Sequence, residues 1–299
     1  MLTGVHVLLI GGDARQLEII RKLAELDATV TVVGFDGLQQ PPEGATPAQL
    51  GEELFDNADA VILPAVGTED DGTVTAVFTD RQLKLTGEMI GRLPKHSKVY
   101  TGMAKSYLRQ LCENHGIALV ELFDRDDVAI YNSIPTAEGA IMMAIQHTDI
   151  TLHGSSCTVL GLGRTGLTLA RTLQGLGAKV KAGVRRPEHY ARAWEMGFEP
   201  FYVKQLQHHV GNIDLLFNTI PTMIVTAQII AHMPSRAVII DLASKPGGTD
   251  FRYAEKRGMK ALLAPGLPGI VAPKTAGRIM AECLGRLILE DHSQRGNGL

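Results

Sequence analysis

Apolar and polar positions along this chain alternate between two periods. Val5–Ile10 is a mostly apolar, β-branched run that ends in Gly-Gly, the pattern of a first strand. Residues 15–26 follow with apolar side chains at 17, 19, 20, 23, 24 and 26, which is helical spacing. Thr29–Val33, Ala60–Leu63 and Lys98–Thr101 read as strands, and Ala118–Phe123 as a short one before the charged cluster DRDD. Residues 38–51, rich in Pro, Gly and Gln, and residues 67–72 read as surface loops. A second unit opens near Cys157: Thr158–Leu160 is a strand, Thr165–Leu176 a helix and Lys179–Gly183 a strand. Ile213–Asn218, Ala237–Leu242 and Ala261–Leu263 are later strands. Strand–helix–strand alternation of this kind predicts an α/β fold with parallel, doubly wound sheets.

Two segments lie outside the alternation. In IPTAEGAIMMAIQHT the stretch Glu138–Gln146 predicts a helix, with Thr136 followed by Glu138 and Gly139 resembling its start. Near the end, TAGRIMAECLGRLILE predicts a second amphipathic helix, and SQRGNGL a frayed tail. The reading is of two domains with a cleft between them, 1–145 and 146–276, with helix 277–295 packing back on the first by analogy with two-domain dehydrogenases.

Composition narrows the class. The 299 residues suit two domains, and 45% hydrophobic with 20% charged residues matches a globular protein with a large core. A net charge of −3 provides no global field to recruit nucleic acid or an anionic membrane, so neither is expected as a partner. Cys112, Cys157 and Cys283 show no metal or redox spacing and are expected as reduced, buried thiols. The N-terminal apolar run is short and enters charged sequence at once, so it reads as a strand rather than a signal peptide. With no run approaching the roughly 18 apolar residues of a membrane span, a cytoplasmic location is the expectation. The histidines, including His208 and His209, show no ligand spacing, so no metal site is expected.

The most informative motif is VLGLGRTG, where Gly161, Gly163 and Gly166 fit G-x-G-x-x-G between a strand and a helix. The first glycine permits a tight turn, the second admits a pyrophosphate, and the third lets helix and strand pack closely. Arg164 and Thr165 fill the positions between the glycines. The unit therefore reads as a Rossmann-like dinucleotide domain. Specificity is set about 20 residues on, at the end of the second strand. The stretch VKAGVRRPE has Val184, Arg185 and Arg186 there, and no acid before Glu188. A carboxylate would bind the ribose 2′-hydroxyl of NAD, whereas arginines offer a fork to a 2′-phosphate. The expectation is NADP, against the plainer reading of two solvated arginines at a helix start. The N-terminal IGGDARQ imitates the motif badly: Asp13 and Gln16 replace glycines. An acid at 13 repels pyrophosphate, so the first domain is expected to meet substrate instead. Asp13 is open to two roles, substrate contact or N-cap.

Downstream, NTIPTMIVTAQIIAHMPSRAVIIDLASKPGG resembles the NAD(P)-dependent 2-hydroxyacid dehydrogenases. That resemblance implies cofactor contacts at Thr219, Pro221 and Leu242, and places Asn218 nearby. It also puts the family's catalytic arginine at about Ser244, beside Lys245, and its catalytic histidine at Lys274 in APKTAG. The missing Arg and His argue against ordinary ketone reduction.

GGDARQLEIIRKLAE, FDRDDVAIYNSIPTAEG, VLGLGRTG, DLASKPGGTDF and LLAPGLPGIVAPKTAG are together similar, over the whole chain, to the dipicolinate synthase A family of spore-forming bacteria. The resemblance implies oxidation of dihydrodipicolinate to dipicolinate with NADP during sporulation, in the mother-cell cytoplasm, together with a second, flavoprotein-like B subunit. An oligomer is expected. The substrate is a planar dicarboxylate, which needs cations or N–H groups at both ends. Lys274, Arg15, Lys245 and Arg125 are the candidate cations, and the loops at 246–248 and 265–269 candidate N–H donors or simple turns. Lys274 is also the candidate base if burial lowers its pKa. Asn132, Ser133 and Thr136 are open to two roles, substrate contact or helix capping. Two other functions remain open: an NADP-dependent reductase of another oxo or imino acid, and a polypeptide that binds NADP without chemistry of its own.

Overall fold

The computed structural model describes residues 1–296. The chain divides into two compact units, Met1–Val128 together with the segment from Pro273 onward, and Ala129–Ala272.

The first unit holds strands β1 (His6–Ile10), β2 (Thr29–Val33), β3 (Ala45–Ala48), β4 (Ala60–Ile62), β5 (Thr73–Val74), β6 (Leu83–Lys84), β7 (Lys98–Thr101) and β8 (Ala118–Glu121). Its helices are α1 (Ala14–Glu25), α2 (Gly87–Gly91), α3 (Ser106–His115) and, from the far end of the chain, α11 (Pro273–Gly296). The main sheet is six-stranded and parallel in the order β3-β2-β1-β4-β7-β8, while β5 and β6 form a separate antiparallel pair. The second unit holds α4 (Asp126–His147, of which it takes the part from Ala129), β9 (Ser156–Leu160), α5 (Arg164–Gly175), β10 (Lys179–Val184), α6 (Pro187–Glu195) and β11 (Glu199–Tyr202). It continues through α7 (Leu206–His209), β12 (Leu215–Asn218), α8 (Ala227–Ala231), β13 (Val238–Asp241), α9 (Phe251–Lys256), β14 (Ala261–Leu263) and α10 (Leu267–Val271). Its sheet is parallel, in the order β11-β10-β9-β12-β13-β14.

Both sheets are doubly wound, so apolar side chains are buried on two faces. Val7 and Leu9 of β1 join one cluster with α1 and α11, while Leu8 and Ile10 join another with α3. Val159 and Leu160 of β9 divide the same way between two clusters. Each fully buried aliphatic side chain contributes roughly 1.5–3 kcal/mol relative to exposure.

Several expectations change. The proline-rich stretch 38–51 contains β3, an edge strand where Pro47 is tolerated because one side of the ladder is free. The helix expected to start near Thr136 starts at Asp126 and carries Pro135 inside it. Unit division falls at Val128 and Pro273 instead of 145 and 276, because Ala137, Ala140 and Ala144 of α4 are buried in the second unit's core. Gly139 lets α4 approach α10: a Cβ there would lie 3.0 Å from the Leu267 Cβ. At the other end, α11 continues through Ser293–Gly296, in place of the expected frayed tail, and the rest of that tail lies outside the described residues.

In the first unit α11 runs parallel to α1. Gly277 meets the Arg15 backbone, Arg278 pairs with Glu18 at 2.9 Å, and Lys22 pairs with Glu282 at 2.7 Å. The two helices therefore start side by side.

Candidate functional site

The carboxyl ends of β9, β10, β12 and β13 build the candidate site of the second unit. The turn after β9 gives the three glycines different surroundings. Gly161 has φ +91°, and a Cβ there would lie 2.5 Å from the Thr219 hydroxyl. A Cβ on Gly166 would lie 1.9 Å from the Gly161 carbonyl oxygen, so only glycine lets α5 begin so close to β9. Gly163, in contrast, is exposed and faces open space, with nothing within 4 Å of a Cβ built on it. It is the N-cap of α5 and offers no side-chain cap, so the start of the helix presents backbone N–H groups to a ligand. Arg164 is exposed and Thr165 partly so in the same turn. Thr219 donates from both its backbone N–H (3.0 Å) and its hydroxyl (2.8 Å) to the Leu160 carbonyl, locking the β12 loop to the fingerprint turn. These features fit a dinucleotide pyrophosphate.

At the end of β10, Val184 is buried and Arg185 donates to the Thr222 hydroxyl at 3.2 Å. A groove of about 700 Å³ opens there, lined by Val184, Arg185, Pro187, Tyr202, Lys204 and Ile224 among others. Arg186 does not line it. It is exposed and faces Glu188 at 3.7 Å. The two arginines therefore have different surroundings, which adjacency in sequence could not show.

A buried network that the sequence reading missed fixes the β12 and β13 ends. The Asp241 carboxylate is fully buried and accepts from Asn218 Nδ2 (3.0 Å), Ala243 N–H (3.0 Å), Gly248 N–H (2.8 Å) and the Thr249 hydroxyl (2.6 Å). Asn218 in turn accepts from the Ile220 N–H at 3.0 Å. The loops carrying Pro221 and Leu242 are thereby positioned from beneath. The PGG loop has its N–H groups engaged: Gly248 on Asp241, and Gly247 on the Ser244 carbonyl at 2.8 Å. The loop is a structural turn, and the exposed residues at its start are Ser244, Lys245 and Pro246.

The residues expected to meet substrate differ in their local surroundings. Ser133 is buried, donating to the Ile130 carbonyl at 2.6 Å and sharing a hydrogen bond with Thr168 at 2.6 Å. Thr136 donates to the Asn132 carbonyl at 2.7 Å within α4, so it caps no helix start. Asn132 keeps a buried carboxamide oxygen without a partner. Arg125 is paired with Asp127 at 3.2 Å.

In the first unit Asp13 caps α1, accepting from the Arg15 N–H at 2.9 Å and the Arg15 guanidinium at 2.6 Å. Burial pushes its carboxyl up, but the Arg15 hydrogen bonds outweigh this and hold it below the usual range. Lys274, in the first turn of α11, is exposed. Because α1 and α11 start side by side, Arg15 and Lys274 share one end of the unit. Lys274 therefore lacks the burial on which the base role depends. The dinucleotide crevice of this unit is filled by its own backbone: the Gly12 N–H donates to the Thr75 carbonyl at 2.7 Å, and Val77 N–H to the Gly12 carbonyl at 2.9 Å.

All three cysteines are buried and free, and burial pushes the Cys112 and Cys157 thiols up to about 11. Among the described residues no His, Cys, Asp or Glu cluster could hold a metal, and no helix is long and apolar enough to cross a membrane.

Fold and site define a Rossmann-type dehydrogenase whose second unit is a nicotinamide-cofactor domain. The family model for the alanine dehydrogenase/PNT C-terminal domain matches residues 140–256, and that for the N-terminal domain of the dipicolinate synthase A subunit matches residues 6–123. The dipicolinate synthase A subunit of Bacillus subtilis (strain 168) is 52% identical over 296 residues, covering 99% of this chain and 100% of the relative. The crystal structure of its Bacillus halodurans counterpart is 55% identical with a TM-score of 0.94, covering 96% of this chain and 99% of that one. A transhydrogenase from Sinorhizobium meliloti shares the fold at 17% identity, with a TM-score of 0.67 and 94% coverage of each chain. The chain belongs to the dipicolinate synthase A family. These relatives are named as one subunit of a synthase, which implies a partner polypeptide.

Proposed function

We propose that this chain oxidises dihydrodipicolinate to dipicolinate with NADP, working with a B subunit in the mother cell of a sporulating bacterium. One observation carries the cofactor choice: the strand end that would hold an acid for NAD holds buried Val184, with Arg185 on a groove beside it. NADP supplies the hydride acceptor. The fingerprint turn and α5 would hold its pyrophosphate, and the network under Asn218 and Asp241 would set the loops beside its nicotinamide. Arg15 and Lys274 attract the substrate's carboxylates, since paired cations suit a planar diacid. The substrate loses one hydride and one proton, and aromaticity supplies driving force, so positioning is the protein's main task.

A second reading is favoured by a specific observation. Lys274 is exposed, and the Arg and His of hydroxyacid chemistry are absent, as expected of a cofactor-binding polypeptide without chemistry of its own. NADPH formation from NADP and dihydrodipicolinate, measured with and without the B subunit, separates the two. Turnover in either condition, with KM raised by Lys274→Gln, supports the first. Tight NADP binding with no turnover in both conditions overturns it.

A further inference from the structure

We propose that Lys204, together with Arg185, selects the cofactor's 2′-phosphate, and that Arg186 takes no part. The inference rests on the NADP reading above. It concerns a residue on a different strand from the two arginines, which the sequence motif does not reach.

β10 and β11 are parallel neighbours with Val184 opposite Tyr202. Their carboxyl ends lie side by side, about 4.8 Å apart as adjacent strands do. Arg185 follows directly on Val184. Lys204 sits in the short 3-10 turn Val203–Gln205 that follows Tyr202. Both cations line the same groove. Lys204 is exposed, and its ammonium lies 5.6 Å from the Tyr202 ring centroid. No ion pair engages it among the described residues. Tyr202 is itself held by stacking on Tyr190 at 5.0 Å, so the ammonium rests on a fixed platform. The groove thus offers a guanidinium fork from one strand end and a compact ammonium from the next, with uncharged Val184 also in its lining. That is the donor set a phosphate dianion requires. Arg186 has different surroundings: it does not line the groove, and it is exposed with the Glu188 carboxylate 3.7 Å away.

The test is calorimetric titration of the full-length protein with NADP and, separately, with NAD. Wild type is compared with Arg185→Gln, Lys204→Gln, Lys204→Arg and Arg186→Gln. Each charge-assisted contact is worth about a tenfold or greater change in affinity. Arg185→Gln and Lys204→Gln are each expected to weaken NADP about tenfold or more while NAD stays within about twofold. Lys204→Arg retains most NADP affinity, and Arg186→Gln changes the NADP-to-NAD ratio less than about threefold. A wild type without preference for NADP overturns the cofactor reading itself. A wild type that prefers NADP, with the preference unchanged in Lys204→Gln, overturns this inference alone. So does a Lys204→Gln that weakens both cofactors equally, which would mark Lys204 as a support for the adenine side only.

Discussion

Two glycines three residues apart should respond oppositely to the same added methyl group. At Gly166 a Cβ would lie 1.9 Å from the Gly161 carbonyl oxygen and 2.9 Å from its carbonyl carbon. Both groups are backbone, so relief requires moving β9 or α5. An alanine in a helix gains up to about 1 kcal/mol over glycine, but overpacking costs about 1–3 kcal/mol or more. An overlap of this depth lies at the upper end, so Gly166→Ala is expected to lose about 1–2 kcal/mol of stability. At Gly163 a Cβ meets nothing within 4 Å. Gly163→Ala is expected to change stability by less than about 1 kcal/mol, the scale of a cap substitution. Yet in the proposed function this is the face that meets the pyrophosphate, and a methyl inserted there is expected to cost binding about 1–3 kcal/mol, or roughly 5- to 150-fold in affinity. Chemical denaturation and NADP titration of both variants provide the readout. A Gly163→Ala protein that binds NADP as wild type does would show that the cofactor does not pass over this turn. A Gly166→Ala protein of native stability would refute the packing argument.

Two further outcomes follow from buried or paired carboxylates. Asp241→Asn replaces one acceptor oxygen of the buried network with a donor facing the Gly248 N–H; at about 1–3 kcal/mol per unsatisfied buried group, denaturation should show a loss of about 2–4 kcal/mol. Hydrogen bonds from Arg125, with Arg286 adding to them, hold the Asp127 carboxyl down at about 2. Its folded pKa is thus depressed, so its contribution is fully present above about pH 4 and is lost as pH falls toward 2. Melting curves of wild type and Asp127→Asn should differ at neutral pH and converge over that interval; a constant difference would refute the linkage.

The strands and the nucleotide turn are legible in the sequence because their signals are local. A buried parallel strand writes its own apolar run, and G-x-G-x-x-G compresses turn, ligand approach and packing into six residues. β3 escapes such a reading because an edge strand needs neither a long apolar run nor the absence of proline. The start of α4 escapes it because Asp126 and Asp127 read as part of a charged cluster, and because Pro135 lies inside the helix, where proline is disfavoured. Asp241 is hidden for a different reason: its partners at 218, 243, 248 and 249 come together only when β12 and β13 pair. Lys204 joins Arg185 for the same reason, through the β10–β11 pairing. Adjacency in sequence makes Arg185 and Arg186 look equivalent, and Glu188 makes them differ.

The two sheets share one strand order, so topology alone places a crevice at the same position in each. Local residues decide what each crevice accepts. In the second unit the helix start is an uncapped glycine facing open space. In the first, Asp13 caps α1 while the stretch from Thr73 to Lys84 closes over the ends of β1 and β2. Thr75 takes the Gly12 N–H, and Phe78 stacks on Phe35 at 5.6 Å. Two barriers therefore exclude a dinucleotide there, one electrostatic and one steric, and removing the first leaves the second. Asp13→Gly is expected to lose the side-chain cap, a few tenths of a kcal/mol, and the Arg15 pairing, up to about 1 kcal/mol, without creating nucleotide affinity. Titration is made in a Gly163→Ala background, where the second unit's site is weakened about 5- to 150-fold, and is compared with the Gly163→Ala single variant. Recovered NADP binding in the double variant would show that charge alone had kept the first crevice closed.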